Sequence, residues 1–369
     1  MNKEILINHI NENVLGKIQI PYIDVVAYKG YEEVFRYGAS KKGDYTGKEE
    51  LLMFSCTKPL TVACAMKLIE DGKLSLEQKV EEILPAYKNV FTLNDNNEKI
   101  APTVTMTVKH LLTMTAGLTY GKEYEEVITG LNIEKGKETL DIVNAFAQVP
   151  LKSCPGEKFR YSYCHDVLGA VIEVVSGKKF SEFMKETIFD KLGMEKTYFS
   201  PRANENVADF YWNYEEDGIK PLVKVVPHIF CDGYESGGAG LVSTVEDYAK
   251  FALAMANGGL GANGVRILKE ETVKDIYSPV LASISVNNGF TCVQGKDYGY
   301  GLGVRTRIRE TEWGLPKGEF GWDGAAGSYL MVDPVNKVTV VVGMHIRNWT
   351  PIFSGEHLKI VELIYKHIL

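Results

Sequence analysis

A serine and a lysine three residues apart, Ser55-Cys56-Thr57-Lys58, stand where an apolar helical segment begins. On a helix this spacing projects both side chains from one face, within reach of one hydrogen bond. The amine can then take the hydroxyl proton while the serine oxygen attacks a carbonyl, as in an activated nucleophile. Free backbone N–H groups and the dipole at the same helix end favour a developing oxyanion. A free lysine (pKa about 10.4) is protonated at neutral pH, so a basic role requires about 4–5 kcal/mol of bias from its surroundings, which desolvation can supply. The spacing alone says little. Ser176-Gly177-Lys178-Lys179 repeats it, and helix termination at Gly177 accounts for that copy. A plainer alternative also exists for the first copy, with Ser55 an N-cap and Lys58 a solvated first-turn lysine.

Other chemistries find no support in the residue patterns. No serine has glycine at both −2 and +2, the histidines form no H-E-x-x-H pair, and no G-x-x-x-x-G-K-[ST] loop occurs. Gly259-Leu260-Gly261-Ala262-Asn263-Gly264 follows a helix end instead of a strand and reads as a plain glycine loop. No metal or organic cofactor is implied. Cysteines 56, 64, 154, 164, 231 and 292 form no C-x-x-C pair and read as small buried hydrophobes in a reducing compartment.

The elements that must hold Ser55 and Lys58 follow from the rest of the chain. Its 369 residues carry 41 Lys+Arg against 48 Asp+Glu, a formal charge of −7, with no basic block, which argues against nucleic acid. With 45% hydrophobic and 24% charged residues the composition is that of a globular protein and excludes long disorder. No apolar run reaches the roughly 18–20 residues of a membrane span, and the amino-terminal stretch is amphipathic, so a cytoplasmic protein is expected. Segments 18–28 and 32–37 read as a strand hairpin around Lys29-Gly30. From about 56 to 280 the pattern is mainly helical: 61–71, 140–148, 167–175, 180–191, and 246–257 behind a Ser243-x-x-Glu246 capping box. Strand signals return at 300–305, 329–332 and 338–346, and an amphipathic helix covers 356–369. The expected architecture is α+β: residues 1–52 and 296–369 form one sheet lobe, residues 53–295 a mainly helical insertion, and the site lies at their junction.

Four further segments fall in order along the chain. They are Thr107–Leu118, Pro155-Gly156-Glu157-Lys158-Phe159-Arg160-Tyr161-Ser162-Tyr163, Ser236–Thr244, and Trp322-Asp323-Gly324-Ala325-Ala326-Gly327 before Val332-Asp333-Pro334. Together with Ser55-x-x-Lys58 they resemble the serine β-lactamase-like hydrolases: class C β-lactamases, D-amino-acid peptidases and especially family VIII carboxylesterases. The resemblance spans nearly the whole chain. It implies an antiparallel sheet flanked by helices, with Ser55 as nucleophile, Lys58 as its base and Tyr161 sharing the proton work. It also implies an oxyanion hole from the N–H groups of Ser55 and Ala325, with Tyr163, Trp322, Asp323 and Gly324 at the substrate.

Two departures bear on the substrate. The family's Tyr-x-Asn is Tyr161-Ser162-Tyr163, which lacks the amide that holds substrate amides. Its Lys-Thr-Gly is Trp322-Asp323-Gly324, which loses a cation and adds an anion. Both point towards small neutral esters, with Trp322 as a flat apolar wall and Arg347 a candidate replacement carboxylate clamp. The expected function is a carboxylesterase acting through an acyl-enzyme on a small-molecule ester or amide. A β-lactamase or D-amino-acid peptidase is the alternative among enzymes, and a silent ligand-binding protein the alternative of another class. Whether Lys58 or Tyr161 holds the proton at rest stays open in the sequence. His165 and His110 read as structural or exposed, Cys56 as buried, and Asp166 as a helix first-turn or capping carboxylate. Tyr120, Tyr124, Tyr211 and Trp212 stand on loops where the resemblance implies a wall of the acyl pocket, with surface packing as their default reading.

Overall fold

The computed structural model describes residues 2–17, 19–40, 47–131, 137–199, 207–213, 218–221, 229, 233–281, 297–348 and 352–369. Cys231 and Cys292 lie outside them; Cys56, Cys64, Cys154 and Cys164 are free thiols. Seven strands form one antiparallel sheet: β1 (Tyr22–Lys29), β2 (Glu32–Ser40), β3 (Tyr298–Tyr300), β4 (Arg305–Arg307), β5 (Phe320–Asp323), β6 (Tyr329–Asp333) and β7 (Val338–Gly343), in the order β2-β1-β7-β6-β5-β4-β3. The first strand therefore pairs with the last, with Val25 opposite Val342 and Ala27 opposite Val340.

Alternation along the strands sorts the core into two layers. Val25, Ala27, Val340 and Val342 pack against Leu6 and Ile10 from the amino-terminal helix and Ile360 and Ile364 from helix His357–His367. Val26, Val341, Leu330 and Val332 face the other way, towards helix Val245–Ala256. Both faces are covered, so Val338–Gly343 is buried throughout and reads as an unbroken apolar run. The Asn2 N–H donates to the His367 carbonyl (2.9 Å), joining the two terminal helices.

Helix Lys58–Glu70 is buried on nearly all sides, with Leu60, Val62, Ala63, Cys64, Ala65 and Met66 in the core. It packs on helix Cys164–Ser176, helix Glu270–Tyr277 and β5, and Pro59 sits in its first turn. The residues leading into it are tied down as well. Leu51–Leu52 pairs with Val242–Ser243, and the Met53 N–H donates to the Leu241 carbonyl (2.8 Å).

Three local expectations shift. The cap of helix Val245–Ala256 is Thr244, whose hydroxyl accepts from the Asp247 N–H, while Ser243 bonds Thr197 (2.8 Å) and is occupied in the core. The strand expected at 300–305 breaks into β3 and β4, because Gly301 N–H turns back to the Val304 carbonyl (2.9 Å). The helix expected over 180–191 is three short pieces, with a wide turn at Lys185–Phe189. Among the described residues no helix is long and apolar enough to cross a membrane.

Shortening a terminal-helix side chain probes the joined layer far from Ser55. Ile360→Ala should lower unfolding stability by about 2–5 kcal/mol, read as a fall in the denaturation midpoint; a change under about 0.5 kcal/mol would show that the layer is dispensable.

Candidate active site

Ser55 does not cap the helix. It lies in a 3₁₀ turn, Phe54–Thr57, that runs directly into Lys58–Glu70, whose own cap position is Thr57. Phe54, just before it, has φ +46°, a left-handed value costly for an aromatic residue. The turn is held by its neighbours. The Phe54 ring stacks on Phe210 (5.8 Å), Tyr248 donates to the Cys56 carbonyl (2.6 Å), and the Leu241 N–H donates to the Thr57 hydroxyl (3.1 Å). Cys56 is buried, its thiol turned to the Trp322 carbonyl (3.7 Å). Burial pushes that thiol far above the ordinary cysteine range, so it is no nucleophile.

The Lys58 side chain is buried, and its Nζ lies 3.2 Å from Ser55 Oγ, 3.2 Å from the Tyr120 hydroxyl and 2.7 Å from the Gly238 carbonyl. No described carboxylate stands within ion-pair distance of it. Burial lowers the amine to about 7, with the Asp166 carboxylate the main opposing influence. A neutral amine has two N–H donors and one lone pair. The Gly238 carbonyl can only accept, which commits one N–H. Tyr120 can accept the second, leaving the lone pair for the Ser55 proton.

Tyr161 closes the other side. Its hydroxyl bonds Ser55 and accepts from Trp322 Nε1 (3.1 Å), and its ring lies 4.5 Å from Lys58 Nζ. Burial pushes this phenol well above its usual range, against the two hydrogen bonds, so it is neutral. Trp322 is 1% exposed and stacks on Tyr161 (5.4 Å, 29°). It is thus a donor behind Tyr161 and does not form the open wall expected from the sequence. Tyr163 packs among Tyr120 (4.5 Å), Phe146 (5.0 Å) and Tyr124 (5.4 Å) and lines the cavity with one edge.

Asp323 turns away from the substrate side. Its carboxylate lies 3.5 Å from Arg305 and 3.9 Å from His357 Nδ1. Gly324 lies beneath the nucleophile turn, where a Cβ would come within 2.4 Å of the Met53 carbonyl. A tight turn follows: Gly324 N–H to the Ser328 carbonyl (2.7 Å) and Gly327 N–H to the Gly324 carbonyl (2.9 Å). The N–H groups of Cys56, Gly324 and Gly327 are all taken, whereas those of Ser55 and Ala325 have no described partner. Both residues line a cavity of about 340 Å³ with Phe54, Tyr120, Tyr161 and Arg347.

Sequence reasoning missed three contributors. Tyr120 is a direct neighbour of the amine. The Gly237–Gly240 loop supplies the carbonyl that holds it, and at Gly238 a Cβ would meet Asp166 Oδ2 at 2.4 Å. Asp166 is in the first turn of helix Cys164–Ser176 as read, but it is buried and accepts from Ser236 (2.5 Å), Tyr234 (2.7 Å) and the Gly238 N–H. Adjacent small residues in the glycine loop were the one visible signal of a close approach. The second Ser-x-x-Lys copy ends a helix: Ser176 bonds the Glu173 carbonyl, and Lys179 pairs with Glu138 (3.5 Å) on the surface. Among the described residues no cluster of His, Cys, Asp or Glu could hold a metal ion.

The Beta-lactamase family model matches residues 10–362. The chain belongs to the Beta-lactamase family. It is 27% identical over 314 residues to Esterase EstB of Burkholderia gladioli, covering 78% of this chain and 75% of that one. It is 25% identical over 360 residues to a putative D-alanyl-D-alanine carboxypeptidase of Escherichia coli (strain K12), covering 87% and 77%. Among solved structures, EstCE1, described as a hydrolase with promiscuous acyltransferase activity, superposes with a TM-score of 0.79 over 98% of both chains at 22% identity. The family and its β-lactamase-like α+β fold thus agree with the sequence resemblance.

Two measurements test the proton arrangement. The kcat/KM for an activated ester should rise with pH along one limb with its midpoint near 7, where Lys58 loses its proton, and Tyr161 should impose no loss in the neutral range. Asp166→Asn removes the charge that favours the ammonium, so the midpoint should move to lower pH; an unmoved midpoint would place the titrating group elsewhere. Trp322→Phe keeps the ring and deletes the N–H, so kcat should fall about 3–10-fold, the worth of one hydrogen bond of roughly 0.5–1.5 kcal/mol. An unchanged kcat in a variant with wild-type melting would show that the indole only packs.

Proposed function

We propose that this chain is a carboxylesterase working through a Ser55 acyl-enzyme. The observation that carries the reading is the buried Lys58 amine 3.2 Å from the Ser55 hydroxyl, with burial lowering its pKa to about 7. Lys58 takes the Ser55 proton as Oγ bonds to the ester carbonyl carbon, and the carbonyl oxygen becomes an oxyanion facing the N–H groups of Ser55 and Ala325. The C–O bond to the alcohol then breaks, and the proton returns through the Lys58–Tyr161 pair to the leaving oxygen. Water attacks the acyl carbon, its proton passing to Lys58, and the acid leaves with Ser55 restored. Each half-reaction is proton-neutral and calls for no external cofactor.

Ester over amide follows from two features. An alkoxide needs less protonation help than an amine, and Tyr163 supplies no side-chain amide for a peptide backbone. Similarity to an esterase supports the same choice. Treatment with a fluorophosphonate should add one phosphonyl mass, mapping to the peptide containing Ser55. Turnover of 4-nitrophenyl butyrate should exceed that of a chromogenic cephalosporin, and Ser55→Ala should lower ester turnover at least about 10³-fold. A preference for the lactam would move the assignment to β-lactam hydrolysis, and an unmodified protein would favour a silent ligand-binding role.

A further inference from the structure

The cavity over Ser55 has two unlike walls. Tyr120, Tyr161 and Tyr163 form one, and Tyr161 there carries the proton for the leaving group. Phe54, Ile229 and Ala325 form the other, continuous with a separate apolar cluster around Phe210 and Val242. Arg347 lies on this second wall, at the end of the short strand Ile346–Arg347 that pairs with Tyr211–Asn213. Its guanidinium carbon lies over the rings of both Phe54 (5.2 Å) and Trp212 (5.4 Å). Among the described residues it has neither a carboxylate partner nor a side-chain hydrogen bond, and burial alone perturbs it. The two acids at the cavity stand elsewhere. Asp166 is engaged by Tyr234, Ser236 and the Gly238 N–H, and Glu125 is felt by Tyr163 on the tyrosine wall.

A half-buried guanidinium lying over two rings, its donors without a partner among the described residues, is pre-organised for a bidentate anion such as a carboxylate. The leaving oxygen must reach the protons of Lys58 and Tyr161, so the alcohol faces the tyrosine wall and the acyl group faces Arg347. We propose that Arg347 receives a carboxylate at the far end of the acyl group, making half-esters of dicarboxylic acids the preferred substrate class. This rests on the acyl-enzyme reading above and revises the neutral-ester expectation: the cation lost at Trp322 left the alcohol side, while an unmatched one stands on the acyl side.

The test is calorimetric binding to the Ser55→Ala protein, which cannot turn over. Mono-4-nitrophenyl adipate should bind at least about tenfold more tightly than 4-nitrophenyl hexanoate, its counterpart lacking the terminal carboxylate. The preference should shrink as sodium chloride is raised and collapse in the Ser55→Ala/Arg347→Met protein. Equal or weaker binding of the half-ester, a preference insensitive to salt, or one that survives in the folded double variant would overturn the proposal. The salt series needs no second substitution, so it decides the matter even if the double variant fails to fold. Failure of the esterase reading shows separately, as no wild-type turnover of either ester, and leaves the binding comparison intact.

Discussion

A lysine amine enclosed with no described carboxylate within ion-pair distance is the constraint around which this site is organised. Burying an ammonium costs several kcal/mol, so burial lowers the amine to about 7 and brings its neutral form within reach at neutral pH. All three neighbours lie within hydrogen-bond distance of Nζ, and the neutral form can give one N–H to the Gly238 carbonyl and one to Tyr120, leaving its lone pair for the Ser55 proton. The enclosure depends on parts far apart in the chain. The Gly237–Gly240 loop closes against the helix through Thr61 to the Gly237 carbonyl (2.7 Å) and is anchored behind by Asp166. Asp166 is near enough to moderate the amine's loss of proton affinity and too occupied to pair with it.

The Ala325 side of the site rests on the sheet. β5 delivers Trp322 and Asp323, and the turn after it presents Ala325. Arg305, fully buried on β4, lies 3.5 Å from Asp323 and 3.6 Å from Glu319 and donates to the Leu330 carbonyl (3.0 Å). From the carboxy-terminal helix, His357 Nε2 bonds the Gly327 carbonyl (2.9 Å) and its ring stacks on Tyr329 (4.5 Å). Burial lowers this imidazole to about 4, so it is neutral and its Nε2 carries the proton it donates. The helix that covers the sheet therefore also pins the turn that carries Ala325, linking packing at the chain end to geometry beside Ser55.

How much of this was readable in the sequence depends on the range of each interaction. The β1–β2 hairpin, helix Lys58–Glu70 and the terminal helix were legible because periodicity and Gly/Pro punctuation act locally. Ser55 and Lys58 were legible for the same reason, one helical turn apart. Trp322 was identified but misplaced: a tryptophan in a site motif reads as a surface for substrate, while its burial behind Tyr161 is set by the crossing of β5 with helix Lys58–Glu70. Asp323 was read as an added charge at the substrate because Arg305, 18 residues earlier, gave no sign of facing it. The Gly238 carbonyl could not be read at all, since every residue has one and only the fold aims it.

In the proposed reaction, Trp322 at the position of the family's lysine favours Lys58 over Tyr161 as the base. A cation beside Tyr161 would favour its phenolate and draw the phenol's proton affinity down. The indole N–H holds the same oxygen in place with no net charge, and burial then dominates and keeps the phenol intact. An intact phenol cannot open the reaction by taking the serine proton, but it can pass one along, accepting at its oxygen while donating its own hydrogen. In the proposed reaction the opening deprotonation falls to Lys58, whose proton affinity burial brings near neutrality. The proposed division of proton work between Lys58 and Tyr161 thus rests on an uncharged donor, the Trp322 indole, standing at this strand position.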